Sequence, residues 1–299
     1  MKNIKIFVMS LVAALLVSCG TTKTVPITGR KQNLMVTDGE VLSLSTQQYQ
    51  EFMKTAKLST NATNTAMVKR VGTNLANAVV NYLNANGMQD DVQNYQWTFN
   101  LVADNQANAW CMPGGLIVVY EGILPITQDE ASLAIVLGHE IAHAVARHSA
   151  EQMSNQIKQQ YGVQGAGALA SILGVGSNTV ALGQAMASQG LSFLNLKYSR
   201  NHENEADHMG LIFAAMAGYD PNVAVKFWER MSAASGNKST AEFLSDHPSD
   251  ATRIKNIQGW VPEAQKYYKP KTTTTTKKTT TTKKSTTKKT TTKKTSTKK

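Results

Sequence analysis

One pentapeptide constrains this chain more than any other feature. His139-Glu140-Ile141-Ala142-His143 follows directly on Ala131-Ser132-Leu133-Ala134-Ile135-Val136-Leu137-Gly138. An apolar run of that kind reads as a buried helix, and a charged His/Glu/His trio is costly to bury there. Two histidines four apart project from one face of a helix about one turn apart, so their imidazoles can share one zinc ion at about 2.1 Å each. Glu140 lies beside such an ion, where it can reach a water held there without being a ligand. The bland alternative is a surface helix with two satisfied histidines.

Catalytic zinc takes three protein ligands and keeps a fourth position open. A more distal histidine is one source of the third, but Ala146 and Ser149 stand at the last two fixed positions of His-Glu-x-x-His-x-x-Gly-x-x-His. His148, nine residues from His139, falls on the opposite face of a continuous helix and reads as structural. A glutamate on a later helix is the other source. In Arg200-Asn201-His202-Glu203-Asn204-Glu205-Ala206-Asp207, Glu203 and Asp207 are four apart on a common face. That spacing suits a ligand and a partner for a metal-bound imidazole. Glu205 points well away from both. His202 reads as lying on the outer face, and His208 as structural.

The combination resembles the zinc metallopeptidases (gluzincins) that include the CAAX prenyl proteases, the mitochondrial Oma-type proteases and bacterial periplasmic quality-control proteases. The match rests on His139–His143 followed by Ser199-Arg200-x-x-Glu203-x-Glu205-Ala206-Asp207. It is joined by Pro26-Ile27-Thr28-Gly29-Arg30, by Asn108-Ala109 with Pro113-Gly114-Gly115, and by Asp246-His247-Pro248 with Arg253-Ile254. It extends over about residues 25–258. The resemblance implies an α+β, mainly helical, zincin-like peptidase domain with a small β-sheet and the His-Glu-x-x-His helix. It implies one Zn2+ per chain on His139, His143 and Glu203, Glu140 as catalytic base, and Asp207 supporting a ligand. The chain lacks the transmembrane helices of the prenyl proteases, so the soluble lipoprotein branch fits better. Cys111 and Met112 replace the small or aliphatic residues expected before Pro113, which leaves fine specificity open.

His247 and Arg253 are candidates for the donor that stabilises the oxyanion of the reaction. His247 has a second candidate role, capping the metal as a fourth ligand and holding the enzyme off. The expected substrate is unfolded polypeptide, lying extended along an exposed strand edge near Asn108–Met112 by strand addition.

The rest of the chain sets the context. Lys2 and Lys5 precede a twelve-residue apolar run, Ile6 to Val17, too short to span a bilayer comfortably. Leu16-Val17-Ser18-Cys19 resembles the lipobox of bacterial lipoproteins, which makes residues 1–18 a signal peptide and Cys19 the lipidated anchor to the membrane. Residues 19–33 read as a tether, 34–262 as the peptidase domain, and 263–299 as a disordered Lys/Thr-rich tail. The expected location is a bacterial cell envelope, at the outer membrane facing the periplasm. Cys111 is the other cysteine; with no partner for an internal disulfide, it reads as a small buried hydrophobe. The net charge of +11 invites a nucleic-acid reading, but eleven lysines and no acidic residue lie in 271–299, so 11 − 11 leaves the remainder near neutral. No nucleic-acid partner is expected.

Periodicity predicts helices over 40–56 and 63–86, strands over 96–101, 108–112 and 116–120, and a long helix over 128–153 launched by a Thr127/Glu130 capping box. Loosely specified helical pieces are expected over the Gly-rich 157–196. Further helices are expected over 197–217, from Asp220-Pro221 to about Ala234 with Val225, Trp228 and Met231 inward, and over 249–258. Two other functional classes remain open. One is a chaperone-like factor that uses the protease groove to bind, with an envelope assembly machinery as its partner. The other is a polyanion binder acting through the basic tail.

Overall fold

The computed structural model describes residues 21–161, 192–234, Phe243, His247 and 251–270. Residues 1–20, read above as an export signal with its Cys19 anchor, all but the ends of 157–196, and the tail from Lys271 lie outside the described residues.

From Thr21 onward the segment read as a tether is a docked hairpin. Strand β1 (Thr21–Thr24) pairs antiparallel with β2 (Lys31–Leu34). The connecting turn places Ile27 at φ 65° and Gly29 at φ 68°. Polar, Pro/Gly-containing composition is common to linkers and tight turns; the difference lies in what is buried. Val25 and Leu34 are buried, and Gln32 donates to the Ala146 carbonyl at 2.7 Å.

Helix α1 (Asp38–Thr55) begins at a capping box formed by Thr37 and Glu40. Helix α2 (Ala62–Ala85) buries the stripe Val68, Val71, Leu75, Val79 and Leu83. It packs against a three-stranded sheet of β3 (Thr98–Val102), β4 (Ala109–Met112) and β5 (Leu116–Tyr120). Central β5 runs parallel to β3 and antiparallel to β4, so β4 lies at an edge.

The expected 128–153 helix is two helices. Helix α3 (Glu130–Val145) is capped by Asp129, whose carboxylate accepts from the Ser132 amide at 2.6 Å. The Thr127 hydroxyl instead donates to the Leu124 carbonyl in the preceding turn, and Gln128 at φ 67° separates the two. After Ala146 the chain turns at Arg147, φ 55°, and helix α4 (His148–Tyr161) starts. A left-handed residue that is not glycine costs roughly 1–2 kcal/mol. Here the Arg147 guanidinium, buried between Asp38 and Asp91, offsets it.

Helix α5 (Arg200–Met216) is capped by Ser199, which accepts from the His202 amide. Helix α6 (Val223–Ala233) starts past the expected Asp220-Pro221 position, because Asp220 accepts from the Asn222 amide in a turn before it. Phe227, Trp228 and Met231 are its buried residues along with Ala224, while Val225 is half-buried. Helix α7 (Ala251–Gln265) is longer than expected and buries Ala264, so ordered chain extends past 262. The core lies where α2, α3, α5 and α6 meet the sheet. Among the described residues no helix is long and apolar enough to cross a membrane.

Candidate metal centre

The site exists because α3 and α5 touch backbone to backbone. A Cβ on Gly138 would lie 2.6 Å from the Gly210 carbonyl oxygen, and one on Gly210 would lie 2.6 Å from the His139 amide nitrogen. Only hydrogen fits on either side of this crossing. The approach sets residues 139–143 of one helix against residues 203–207 of the other.

Four side chains converge there. His139 Nε2 and His143 Nε2 are 3.0 Å apart, Glu203 lies 3.4 Å from the first and 3.3 Å from the second, and His247 Nδ1 lies 3.1 Å from both His139 Nε2 and Glu203. One ligand atom from each falls within 4.8 Å of the others, and all four residues are buried. Two imidazole nitrogens and a carboxylate aimed at one point form a donor set of the kind zinc takes.

Behind them lies a layer that fixes the rings. Asp207 Oδ1 meets His139 Nδ1 at 2.8 Å, which turns His139 Nε2 toward the cluster. Burial alone would raise the Asp207 pKa, but Arg253 and His139 hold it below the usual range. Burial would lower His139, yet the Asp207 carboxylate overrides it and raises the imidazole to about 9. Burial pushes His143 well down. Burial would raise Glu203, but the surrounding imidazoles, His247 foremost, hold it well below its ordinary value. His143 Nδ1 meets His148 Nδ1 at 2.9 Å, and His148 Nε2 meets Glu205 at 2.9 Å. Burial holds His148 down at about 4, so it is neutral near pH 7.

Glu140 faces a groove lined by Asn108–Met112, Phe193, Leu194, Leu196, Tyr198 and His247. Its Oε1 is buried without a hydrogen-bond partner among the described residues, 3.5 Å from His247 Nε2. Burial raises its pKa. An unpartnered buried carboxylate oxygen calls for a functional explanation, and a metal with a reacting water beside it fits this one.

The structure brings His139, Glu140, His143, Glu203, Asp207 and His247 together. Arg253, one candidate for the oxyanion donor, lies beside the ligands, with Nη1 3.5 Å from Glu203 Oε2 and Nη2 3.4 Å from His139 Nδ1. Its guanidinium pairs with both Asp207 oxygens at 2.7 and 2.8 Å, donates to the His247 carbonyl at 3.0 Å, and lies 3.6 Å over the Trp228 ring. His202, read as outward, is buried, stacks on His148 at 4.4 Å and faces Glu151 at 3.3 Å. His148 is also not remote: the break at Arg147 swings it under His143. In a continuous helix five positions amount to about 140° of rotation, which would hold the two rings apart. Cys111 is free and buried, with burial pushing its thiol well up. Sequence reasoning missed Tyr198, stacked on His143 at 4.1 Å, because nothing local marks it.

The sequence model of peptidase family M48 matches residues 62–261. The chain belongs to peptidase family M48. Among curated relatives, the mitochondrial metalloendopeptidase OMA1 of Schizosaccharomyces pombe is 40% identical over 181 residues, 60% of this chain and 50% of that protein. The bovine mitochondrial metalloendopeptidase OMA1 is 31% identical over 249 residues, 81% of this chain and 46% of that protein. The beta-barrel assembly-enhancing protease of Yersinia pestis is 30% identical over 167 residues, 54% of this chain and 33% of that protein. The chain thus spans about half the length, or less, of these relatives. In M48 terms, the matched region holds all four cluster residues, whereas β1, β2 and α1 precede it.

Proposed function

We propose that this M48 chain is a zinc-dependent endopeptidase of a bacterial envelope, anchored through a lipid on Cys19 and hydrolysing unfolded or misassembled proteins. The observation that carries the proposal is the convergence of His139, His143 and Glu203 beside Glu140 at the floor of a groove. Zinc, when held by those three residues, supplies a Lewis acid for the scissile carbonyl and the attacking water. Glu140 takes the proton of that water at its carboxylate and delivers it to the leaving amine. Edge strand β4 offers main-chain groups to an extended peptide, which favours unfolded chains over folded ones. Arg253 keeps Asp207 charged and in place, so it positions His139. The likeness to a beta-barrel assembly-enhancing protease supports an envelope assembly machinery as partner, and the lipobox-like ending at Cys19 supports the membrane attachment.

Titration of metal-stripped protein with zinc, followed by hydrolysis of unfolded casein, tests the reading. One zinc per chain and chelator-sensitive cleavage are expected. Cleavage that survives full metal removal would overturn it.

His247 gives the reading a second feature. Its Nδ1 lies among the ligand atoms, which supports a role in capping the metal as a fourth ligand and holding the enzyme off. Substituting alanine is then expected to raise casein hydrolysis several-fold at unchanged zinc content. A large loss of turnover instead would return His247 to the oxyanion-donor role.

A further inference from the structure

The N-terminal hairpin reaches the ligand His143 through an unbroken chain of polar contacts. Arg30 Nε and Nη2 donate to Glu205 Oε2 at 2.9 and 2.7 Å, and its Nη1 and Nη2 donate to Glu151 at 2.8 and 2.7 Å. Thr28 donates its hydroxyl to Glu205 Oε1 at 2.6 Å. Glu205 Oε2 meets His148 Nε2, and His148 Nδ1 meets His143 Nδ1, each at 2.9 Å. A metal on His143 Nε2 needs that nitrogen bare, so the ring carries its proton on Nδ1. His143 Nδ1 then donates to His148 Nδ1, and His148 Nε2 donates to the Glu205 carboxylate, which only accepts. Every link is satisfied, and His143 Nε2 faces His139 and Glu203.

We propose that the hairpin is a working part of the metal centre: Arg30, held by the β1–β2 turn, positions His143 through Glu205 and His148. The inference rests on reading His139, His143 and Glu203 as metal ligands. It goes beyond that reading, which gives Thr28, Arg30 and His148 no part in holding the metal. Two further contacts fit it. The turn is closed by main-chain bonds from Val25 N to Arg30 O at 2.8 Å and from Gly29 N to Val25 O at 3.0 Å, so Arg30 projects from a defined loop. Gln32 caps the carbonyl of Ala146, at the end of the helix that carries His139 and His143. The hairpin therefore touches that helix end and, through Arg30, the Glu205 that follows ligand Glu203 on α5.

The test compares purified full-length wild type with Arg30→Gln, Arg30→Lys, His148→Phe and the double variant Arg30→Gln/His148→Phe. Arg70→Gln, which removes an exposed ion pair to Glu130 elsewhere on the surface, is the control. Zinc affinity is read by competition with a chromophoric chelator, alongside kcat and KM on casein and thermal melts of the metal-free forms. Outer partners of metal-bound histidines are worth about 10–100-fold in metal affinity. Arg30→Gln is expected to bind zinc about 10-fold more weakly, and Arg30→Lys to restore part of the loss, since one ammonium cannot fork between two carboxylates. At saturating zinc, kcat should fall while KM stays within about 2-fold. The double variant should bind no more weakly than His148→Phe alone, because both act through one chain of contacts.

Zinc affinity in Arg30→Gln equal to wild type and Arg70→Gln, with only the melting temperature lowered, would make the hairpin a structural staple and overturn the proposal. Additive losses in the double variant would overturn it as well. If Arg30→Gln does not fold, Thr28→Val carries the same comparison, since it removes a single donor to Glu205. A wild type that binds no zinc would sink the metal reading itself, an outcome distinct from an insensitive Arg30.

Discussion

Glu140→Gln is expected to keep one zinc per chain and to lose hydrolysis of unfolded casein by about 10²–10⁴-fold, the usual worth of a positioned general base. The amide matches the carboxylate in size but cannot take a proton. Stability should not fall with activity. The wild-type carboxylate is 3% exposed, one of its oxygens lacks a hydrogen-bond partner, and burial raises its pKa. Replacing a desolvated charge by a neutral isostere relieves a burial cost. The separation of the two readouts is the point of the experiment: metal content by elemental analysis and melting temperature unchanged, turnover lost. Unchanged cleavage would remove Glu140 from the mechanism. In cells, rescue of a deletion strain by Glu140→Gln would show that the groove acts by binding, as a chaperone-like factor would.

What could be read from the sequence follows the range over which each signal acts. His139, Glu140 and His143 are fixed relative to one another by a single helical turn, and so are Glu203 and Asp207, so both groups were legible from spacing alone. Strand Leu116–Tyr120 was legible because a short apolar run between turn residues leaves little choice. The capping boxes show where such reasoning fails. Thr127 and Glu130 have the right spacing, yet Asp129 is an equally good cap and the Leu124–Thr127 turn claims the threonine hydroxyl. The box that does form is Thr37 with Glu40, beside a weaker amphipathic pattern.

The break at Arg147 is invisible locally, since no glycine or proline marks it. Its cause is Asp38 and Asp91, both distant in sequence. Arg30 is the sharpest case. Its partner Glu205 lies 175 residues away, and local composition reads the Arg30 segment as a linker. Once Arg147 turns the chain, His148 faces His143, and the misread tether and the misread histidine become parts of one network.

Gly210→Ala is expected to destabilise the fold by at least about 3 kcal/mol, the upper end for overpacking a close-packed interior. Two effects oppose each other. Alanine in a helix interior is favoured over glycine by about 1 kcal/mol. Against that, the added methyl would sit 2.6 Å from His139 N, 2.7 Å from Gly138 C and 2.8 Å from Gly138 O. Those are backbone atoms of a hydrogen-bonded helix, and unlike the end of a flexible side chain they cannot step aside. The steric term wins, and a domain of this size should lose roughly 6–12 °C in melting temperature for 3 kcal/mol. Gly259→Ala is the matched control, because a Cβ there meets nothing within 4 Å; it should gain up to about 1 kcal/mol. If the two variants melt alike, the glycine crossing does not hold α3 against α5. The metal readout should follow the fold: His139 and His143 stand on one helix and Glu203 on the other, and a site of this kind tolerates about 0.5 Å of misplacement. Any methyl that pries the helices apart separates the ligands before the core gives way, so zinc affinity should fall in whatever fraction of Gly210→Ala remains folded.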